Sequence, residues 1–277
     1  MSGFSIDWLN LREPADQRAR DAAVREQALA WLGIGAAPGR SSINPGEAIV
    51  VDLGTGTGST LRALSAPGSQ LLVWRLVDND GDLLDEALRR HGKHYRIEDY
   101  QSDLTVIGEL PLGGARLITA SALFDLVSAN FVDTLVKRLK AMSGGWPVGL
   151  YAALNYDGTT SWNPPHPYDT AVLTAFNQDQ CKDKGFGLAL GPQAGSYLAT
   201  ALQQAGFTVT TASTPWQLGA EDSVMMEALV NGIAAAVAND YGLATDKLAE
   251  WRSFRLAHCQ NGSCSVGHLD VLALPAS

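Results

Sequence analysis

The stretch VVDLGTGTGST, residues 50–60, decides the fold prediction. A short apolar run that contains one acid leads into three glycines that alternate with threonines. Glycine-rich turns of this kind follow a β-strand and present backbone N–H groups to an anionic or nucleotide ligand. The ligand of such a turn is a dinucleotide, a nucleoside triphosphate or another compound, and the residue spacing has to distinguish between them.

The glycine spacing favours a ligand without phosphates. Gly54, Gly56 and Gly58 form G-x-G-x-G, whereas dinucleotide loops need G-x-G-x-x-G/A, and Ser59 stands where the third small residue belongs. No lysine follows the glycines, which excludes the P-loop of nucleotide triphosphatases. Asp52 would repel a pyrophosphate but attract a cation or a hydroxyl group. These features fit S-adenosylmethionine, which carries a sulfonium, an ammonium and a ribose.

The overall composition limits the classes of molecule that the protein is expected to bind. The chain has 277 residues, 46% of them hydrophobic, and a net charge of −9, which argues against a nucleic-acid groove. The sequence contains neither an apolar run of about 18 residues that would suggest a membrane span nor a signal-peptide pattern at its start. The low, odd count of three cysteines is typical of a reducing compartment. We therefore expect a cytoplasmic protein without nucleic-acid or membrane partners.

Strand and helix patterns alternate from residue 48 onward. Near-continuous apolar strands separated by helices indicate a parallel sheet that is covered on both faces. The predicted strands lie at 48–53, 71–78, 94–103, 115–126, 147–156, 207–216 and 265–275. The predicted helices include one at 5–32, a loop-like segment follows it at 36–47, and two further helices lie at about 221–239 and 244–258. Residues 157–190 are polar, aromatic and rich in Pro and Gly, and their length predicts an irregular but ordered lid.

Several of these segments resemble the class I S-adenosylmethionine-dependent methyltransferases. VDLGTGTG resembles the family's motif I, LVDNDGDLLDEA its second motif, and LITASALFDL its motif IV strand. The resemblance implies that Asp78 binds both ribose hydroxyls, and that Asp103 and the Leu104 N–H bind the adenine. The cofactor-binding residues that it implies are Asp52, Gly54, Thr55, Gly56, Gly58, Asp78, Asn79, Asp103, Leu104 and Ser121.

The same resemblance implies the fold and the domain organisation. We expect a single α/β domain over residues 1–277, with a Rossmann-like, seven-stranded, mostly parallel sheet flanked by helices. Within it, we expect an N-terminal helical cap, a cofactor-binding core, the lid insert, and a C-terminal half that carries a helical insertion before the last strand. These four parts span residues 1–46, 47–156, 157–190 and 191–277.

The predicted activity is methyl transfer to a small-molecule acceptor, whose nucleophilic atom is oxygen, nitrogen or carbon. Ligands of open α/β sheets bind beyond the carboxyl ends of the strands, so we expect the acceptor to be walled by Phe124, Asp125, Asn155 and Trp162. The candidate bases are His166, between two prolines, and Tyr156 and Asp157 after the fifth strand. A surface histidine without a catalytic role is the alternative interpretation of His166.

Other interpretations stay open at this point. A nicotinamide-dependent oxidoreductase uses a similar loop, and a non-catalytic cofactor-binding module has the same scaffold. His258, Cys259, Cys264 and His268 include zinc-ligand types, but the spacing C-x4-C-x3-H matches no compact zinc pattern, so no metal is expected. The helix at 221–239 has an apolar face that suits the core or a dimer contact, and the protein is expected to be a monomer or a homodimer.

Overall fold

The computed structural model describes residues 4–34, 48–142, 147–239 and 242–276. The predicted loop at 36–47 therefore lies outside the described residues. The helices are α1 (Ile6–Ala19), α2 (Ala22–Trp31), α3 (Ser59–Ala63), α4 (Gly81–His91), α5 (Ala129–Met142), α6 (Asp169–Gln180), α7 (Ala194–Gln204), α8 (Ser223–Val237) and α9 (Thr245–Ala257). The strands are β1 (Ile49–Leu53), β2 (Val73–Asp78), β3 (Arg96–Gln101), β4 (Ala115–Ser121), β5 (Gly149–Asn163), β6 (Phe207–Ser213), β7 (Trp216–Leu218) and β8 (Ser263–Pro275).

The strands form one sheet in the order β3-β2-β1-β4-β5-β8-β6, and the short β7 pairs with β8 beside this path. The pairs among β1 to β5 are parallel, while β8 runs antiparallel to β5, β6 and β7. The predicted fold class, a mostly parallel Rossmann-like sheet flanked by helices, is confirmed. Because parallel strands end at the same edge, this sheet gathers the tips of β1, β2, β3 and β4 at one place.

Helices cover both faces of the sheet, and β1 shows why. Val50 packs into one core cluster with α2 and α4, whereas Val51 and Leu53 pack into the other with α5 and α7. Successive side chains of a strand point to opposite faces, so a strand that is buried on both sides has to be apolar at consecutive positions. This explains the near-continuous apolar runs of the sequence.

Two element boundaries differ from the prediction. The predicted helix at 5–32 is two helices, because Asp21 caps α2 by accepting a hydrogen bond from the Val24 N–H at 2.8 Å. The predicted strand at 207–216 ends at Ser213, and Trp216–Leu218 forms the separate β7, which makes eight strands instead of seven. Both corrections arise where one polar residue or turn divides a segment that looked continuous.

The segment at 157–190 is more regular than predicted. Strand β5 continues to Asn163, because its second half pairs with β8, for example Thr160 with Val266 and Trp162 with Cys264. Helix α6 then occupies much of what was expected to be irregular lid. The alternation of more and less exposed residues in this part of β5 was hidden by its polar composition.

Helices α6, α8 and α9 pack together through a separate apolar cluster that contains Val172, Ile233 and Trp251. The apolar face of α8 therefore serves internal packing. Among the described residues, no helix combines the length and the apolar character that crossing a membrane requires.

Candidate functional site

The glycine loop turns sharply at the tip of β1. Gly54, Gly56 and Gly58 have φ angles of 63°, 54° and 85°, in the left-handed region that favours glycine. A Cβ on Gly58 would lie 2.9 Å from Cδ2 of His91, so a side chain has no room there. The loop also crosses the tip of β2, because the Gly54 N–H donates to the Val77 carbonyl at 2.9 Å. The alternating glycines are thus required by this backbone path.

Asp78, at the tip of β2, is joined directly to the glycine loop. Its Oδ2 accepts a hydrogen bond from the Gly56 N–H at 2.8 Å, and its Oδ1 accepts one from the Asp80 N–H at 3.1 Å. The residue is 6% exposed, and burial raises the pKa of its carboxyl group. Each carboxylate oxygen has two lone pairs, so Asp78 keeps acceptor capacity for further donors. The neighbouring Asn79 is exposed.

Asp52 lies beneath the loop with partners from the protein itself. Its two carboxylate oxygens accept hydrogen bonds from the hydroxyls of Thr55 and Thr119, each at 2.7 Å, and burial raises its pKa. The sequence suggested that Asp52 would bind a hydroxyl group, and the hydroxyls that it binds here belong to Thr55 and Thr119. Asp52 supports the loop and links β1 to β4, while a contact between Asp52 and a cofactor stays a prediction.

Asp103 and Leu104 follow β3 at the same edge of the sheet. The Ser102 N–H donates to the Asp78 carbonyl at 2.9 Å, which brings this segment to the tip of β2. Asp103 is exposed, and its Oδ1 accepts bonds from the Thr105 N–H and hydroxyl, which lower its pKa. Its predicted contact with adenine stays a prediction, but its position beside Asp78 fits that role.

Ser121, at the tip of β4, is held by a residue that the sequence analysis missed. The Ser121 hydroxyl accepts a hydrogen bond from Nη2 of Arg20 at 2.8 Å, and the charge of Arg20 also reaches the carboxylates of Asp52 and Asp270. Arg20 is a buried arginine directly after α1. A single arginine at the end of a helix carries no local signal for this position.

Helix α1 lies across the loop, which fits the predicted N-terminal cap. Leu9 approaches the loop so closely that a Cβ on Gly56 would be 3.1 Å from Leu9 Cδ1, and Glu13 pairs with Arg62 after the loop. Further along the same helix, Asp16 accepts a hydrogen bond from Nε1 of Trp216 at 2.9 Å. One helix therefore connects the glycine loop with β7.

The residues predicted to wall the acceptor have different surroundings. Phe124 is fully buried in the core, and its place in the acceptor wall stays a prediction. Asn155 is also fully buried, and its Nδ2 donates to the carbonyls of Ala152 and Leu269, which stabilises the irregular pairing of β5 with β8. In the sequence, Phe124 and Asn155 both follow an apolar strand segment, as residues that line a ligand site also do. The sequence alone therefore does not distinguish such residues from buried ones.

His166 and Trp162 belong to a packing cluster around α9. The His166 ring lies 4.7 Å from the ring of Phe254, and its Nδ1 accepts a bond from the Tyr168 N–H at 3.3 Å. Trp162 packs edge-on against Trp251 with ring centroids 6.1 Å apart. These contacts hold the His166 ring in place, and its role as a base stays a prediction. The flanking prolines stiffen a structural loop.

The other two base candidates, Tyr156 and Asp157, lie on β5. The Tyr156 hydroxyl donates to Oδ1 of Asn177 at 2.9 Å, and burial raises its pKa to about 12, so it stays protonated at neutral pH. Asp157 accepts bonds from the N–H and hydroxyl of Thr159 at 2.9 and 2.6 Å. Strand β8 adds His268, which pairs with Tyr156 across the sheet.

The sequence raised the question of a metal site in the C-terminal Cys/His segment. The described residues contain no group of three or more His, Cys, Asp or Glu side chains arranged for a metal ion. Cys259 and Cys264 are buried free thiols, and His268 packs against the ring of Trp216. The side chains of the C-terminal Cys/His segment are therefore used in packing.

No protein-family model and no curated protein sequence matches the chain. Solved structures with a similar fold include the cyclopropane synthase MmaA2 from Mycobacterium tuberculosis, at 12% identity over 98% of this chain and 94% of that one, with a TM-score of 0.49. They also include YcgJ from Bacillus subtilis, at 13% identity over 84% and 93%, with a TM-score of 0.49. A third is the geranyl diphosphate C-methyltransferase from Streptomyces coelicolor A3(2), at 14% identity over 92% and 77%, with a TM-score of 0.45.

The strand order, the single antiparallel strand of the main path and the glycine loop at its centre decide the fold. The chain has a Rossmann-like fold. A fold does not determine the acceptor or the catalytic groups, because both depend on the residues of the site.

Proposed function

We propose that the chain binds S-adenosylmethionine at the glycine loop and transfers its methyl group to a small-molecule acceptor. The observation that carries this proposal is the hydrogen bond from the Gly56 N–H to the buried Asp78 carboxylate. In dinucleotide and triphosphate loops the backbone N–H groups bind phosphate oxygens. Here a carboxylate takes that place, so a pyrophosphate would lose a donor and meet a negative charge.

The residues at this edge suit a nucleoside with a cationic centre. Asp78 would bind the ribose diol with its remaining lone pairs, and Asp103 with the Leu104 N–H would bind the adenine. Gly54, Gly56 and Gly58 let the backbone approach the ligand closely, since their left-handed conformations exclude larger residues. When bound, the cofactor supplies an activated methyl group on a sulfonium, which is already a good leaving group.

The protein's own contribution is then mainly positional. Helix α1 covers the loop through Leu9 and excludes water, while Arg20 holds the Ser121 hydroxyl at the tip of β4. Aligning an acceptor with the methyl group accounts for much of the rate that an enzyme of this kind needs. The net charge of −9 supports a small acceptor over a nucleic acid. A cytoplasmic location and a monomeric or homodimeric state remain predictions.

Isothermal titration calorimetry with S-adenosylhomocysteine tests the proposal. The wild-type protein should bind it, and Asp78→Ala should lower the affinity at least about 100-fold, or about 2.7 kcal/mol. Asp82→Asn is the matched control, because Asp82 lies in the first turn of α4. Unchanged affinity in the Asp78 variant, or tight binding of NADH by the wild type, would refute the cofactor assignment.

A further inference from the structure

The described residues include several buried polar side-chain atoms without a hydrogen-bond partner, and two of them come from the segment after β4 and from β8. They are Oδ1 of Asp125 and Nδ1 of His268, both shielded from solvent. His268 is only 4% exposed. Buried polar side-chain atoms are usually paired in folded proteins, and unpaired ones often mark a place where a ligand binds.

These two atoms belong to one group of side chains beneath α1. His268 pairs with Tyr156 in the register of β5 and β8, and its ring lies 4.6 Å from the ring of Trp216. The guanidinium of Arg12, on α1, lies 5.1 Å from the centre of the Trp216 ring. Ser121 pairs with Ala153 in the register of β4 and β5, so Asp125 and Tyr156, which follow these residues, lie at the same end of neighbouring strands. Burial raises the pKa of Asp125 and lowers the pKa of His268, and the charge of Arg12 acts on both groups. We call this group the α1 cluster; its members are Arg12, Asp125, Tyr156, Asp157, Trp216 and His268.

The α1 cluster has an excess of negative charge. Arg12 is its one cation, and it is already paired with Asp16 through bonds of 2.9 and 3.2 Å. Asp157 and Asp125 add two carboxylates that no cation of the cluster pairs with, and the Asp157 oxygen that is bonded receives its bonds from Thr159. A ligand with a positive charge and hydrogen-bond donors would balance this arrangement.

The α1 cluster adjoins the proposed cofactor site. Asp125 comes four residues after Ser121, which ends β4 at the carboxyl edge of the sheet. Helix α1 spans both places, with Leu9 at Gly56 and Asp16 at Trp216. A small molecule in the α1 cluster would therefore share the covered edge of the sheet with the methyl donor.

We propose that the α1 cluster binds the acceptor, and that the acceptor is a small amine that enters as an ammonium ion and donates hydrogen bonds to Asp125 Oδ1 and His268 Nδ1. Its carbon skeleton packs against the rings of Trp216 and Tyr156, where a cation gains from the aromatic faces. This inference rests on the proposed function only in naming the ligand an acceptor. The amine site itself is defined by the side chains of this chain.

Asp125 is also suited to take a proton from the bound ammonium. Burial raises its pKa to about 6, so at neutral pH it is ionised but is a stronger base than an exposed carboxylate. One proton passes from the ammonium to the carboxylate, which leaves a neutral amine with a free lone pair and a neutral carboxyl group. His268 adds no competing charge, because burial lowers its pKa to about 3. Its neutral Nδ1 serves as a hydrogen-bond acceptor in one of its two tautomers.

Calorimetry with small amines tests the site, with and without saturating S-adenosylhomocysteine. The probes are butylamine and 2-phenylethylamine, each compared with its isosteric alcohol, butanol or 2-phenylethanol, and with its carboxylate analogue, pentanoate or 3-phenylpropionate. At least one amine should bind about tenfold more tightly than its alcohol and carboxylate counterparts. Asp125→Asn should lower that amine's affinity about tenfold and leave the affinity for S-adenosylhomocysteine unchanged.

The pH dependence separates a binding carboxylate from a merely structural one. The affinity of the wild type for the amine should fall as the pH drops through about 6, because Asp125 becomes protonated while the amine keeps its charge. This dependence should be absent in Asp125→Asn. Asp133→Asn, which removes an exposed carboxylate of α5 that binds Tyr197, is the matched control and should behave like the wild type. A second variant, His268→Gln, should weaken amine binding less than Asp125→Asn.

Three results would overturn the proposal: equal or tighter binding of the alcohols or carboxylates, no amine binding at millimolar concentration, or wild-type amine binding in Asp125→Asn. Failure of the protein to bind S-adenosylhomocysteine would instead overturn the proposed function. Amine binding that depends on Asp125 in that case would still support the site, so the two failures can be told apart.

Discussion

The proposed cofactor end and the proposed acceptor end of the sheet edge are built in different ways. At the proposed cofactor end, Asp78 bonds to Gly56, 22 residues away in sequence, and Asp52 bonds to the hydroxyls of Thr55 and Thr119. At the acceptor end, Asp16 on α1 bonds to Trp216, 200 residues away, and two buried polar atoms have no partner. Contacts between residues of the loop and the neighbouring strand tips form the first end, whereas the second end depends on contacts between the first helix and strands near the end of the chain.

Asp16→Ala should give the largest effect, because it tests the long-range packing of the acceptor end. The substitution leaves the buried Arg12 without its carboxylate and Trp216 Nε1 without its acceptor. We expect the free energy of unfolding to fall by about 3–5 kcal/mol in urea denaturation. Gln17→Ala, at an exposed position of the same helix, should change it by no more than about 0.5 kcal/mol. Equal stability of the two variants would contradict the importance of this contact.

Gly58→Ala tests the local character of the cofactor end. Gly58 has a φ of 85°, and the new Cβ would lie 2.9 Å from Cδ2 of His91, so the loop has to move. The affinity for S-adenosylhomocysteine should therefore fall by about 100-fold, or about 2.7 kcal/mol. Gly206→Ala is the control, since Gly206 has a φ of 95° but no atom within 4 Å of a Cβ. It should cost stability through backbone strain and leave the affinity unchanged. Similar affinities in both variants would mean that crowding at the loop is unimportant.

Asp125→Asn tests whether the unpartnered carboxylate of the acceptor end costs stability. The pKa of Asp125 is raised from 3.8 to about 6, so the unfolded chain ionises this group more readily than the folded protein does. The free energy of unfolding therefore falls as the pH rises from 3.8 to 6, and the full loss is present above pH 6. Removing the charge should therefore stabilise the protein by about 1–3 kcal/mol near pH 8 and have no such effect below about pH 4. Urea denaturation at both pH values measures this, with Asp133→Asn as the control. A variant that is less stable at the higher pH would show that Asp125 is a structural residue.

His268→Phe should have the smallest effect. The pKa of His268 is lowered from 6.5 to about 3, so the unfolded chain takes up a proton below pH 6.5 that the folded protein refuses. This contribution to stability is present above pH 6.5 and is lost as the pH falls toward 3, by about 1 kcal/mol near pH 5.5. The variant should lack this part of the acid sensitivity in urea denaturation between about pH 7.5 and 5.5.

The control for this experiment is His94→Gln, which changes an exposed histidine and should keep the acid sensitivity of the wild type. If His268→Phe loses stability with acid as steeply as the wild type does, then His268 is not the buried neutral group described above.

Much of the fold could be predicted because its signals are local. Apolar runs such as AIVVDL, ending at Leu53, and the alternation of strands with amphipathic helices indicate a parallel sheet wherever they occur. The side chains that end the strands of such a sheet meet at one edge, so Asp78 and the glycine loop could be placed together in advance. The structure then added the bond that joins them.

Predictions that the structure changes or leaves unsupported concern residues whose surroundings come from distant parts of the chain. His166 looked like a rigid base because two prolines flank it, but its ring packs against Phe254, which lies on a helix far along the chain. The polar second half of β5 looked irregular because the β8 partner that orders it comes about 100 residues later. Local patterns report on neighbours in sequence, and these residues are governed by neighbours in space.

By itself, the sequence determined the fold class, the glycine loop and the acids at the strand tips, because backbone conformation and strand periodicity are short-range properties. Only the tertiary structure decided which buried groups meet beneath α1. Trp216 and His268 come there from two strands near the end of the chain, and Arg12 comes from its first helix. The groups of the α1 cluster have more negative than positive charge among them, and two of their atoms lack hydrogen-bond partners. Both properties have large energetic effects only where water is excluded, and that depends on the packing of the whole domain.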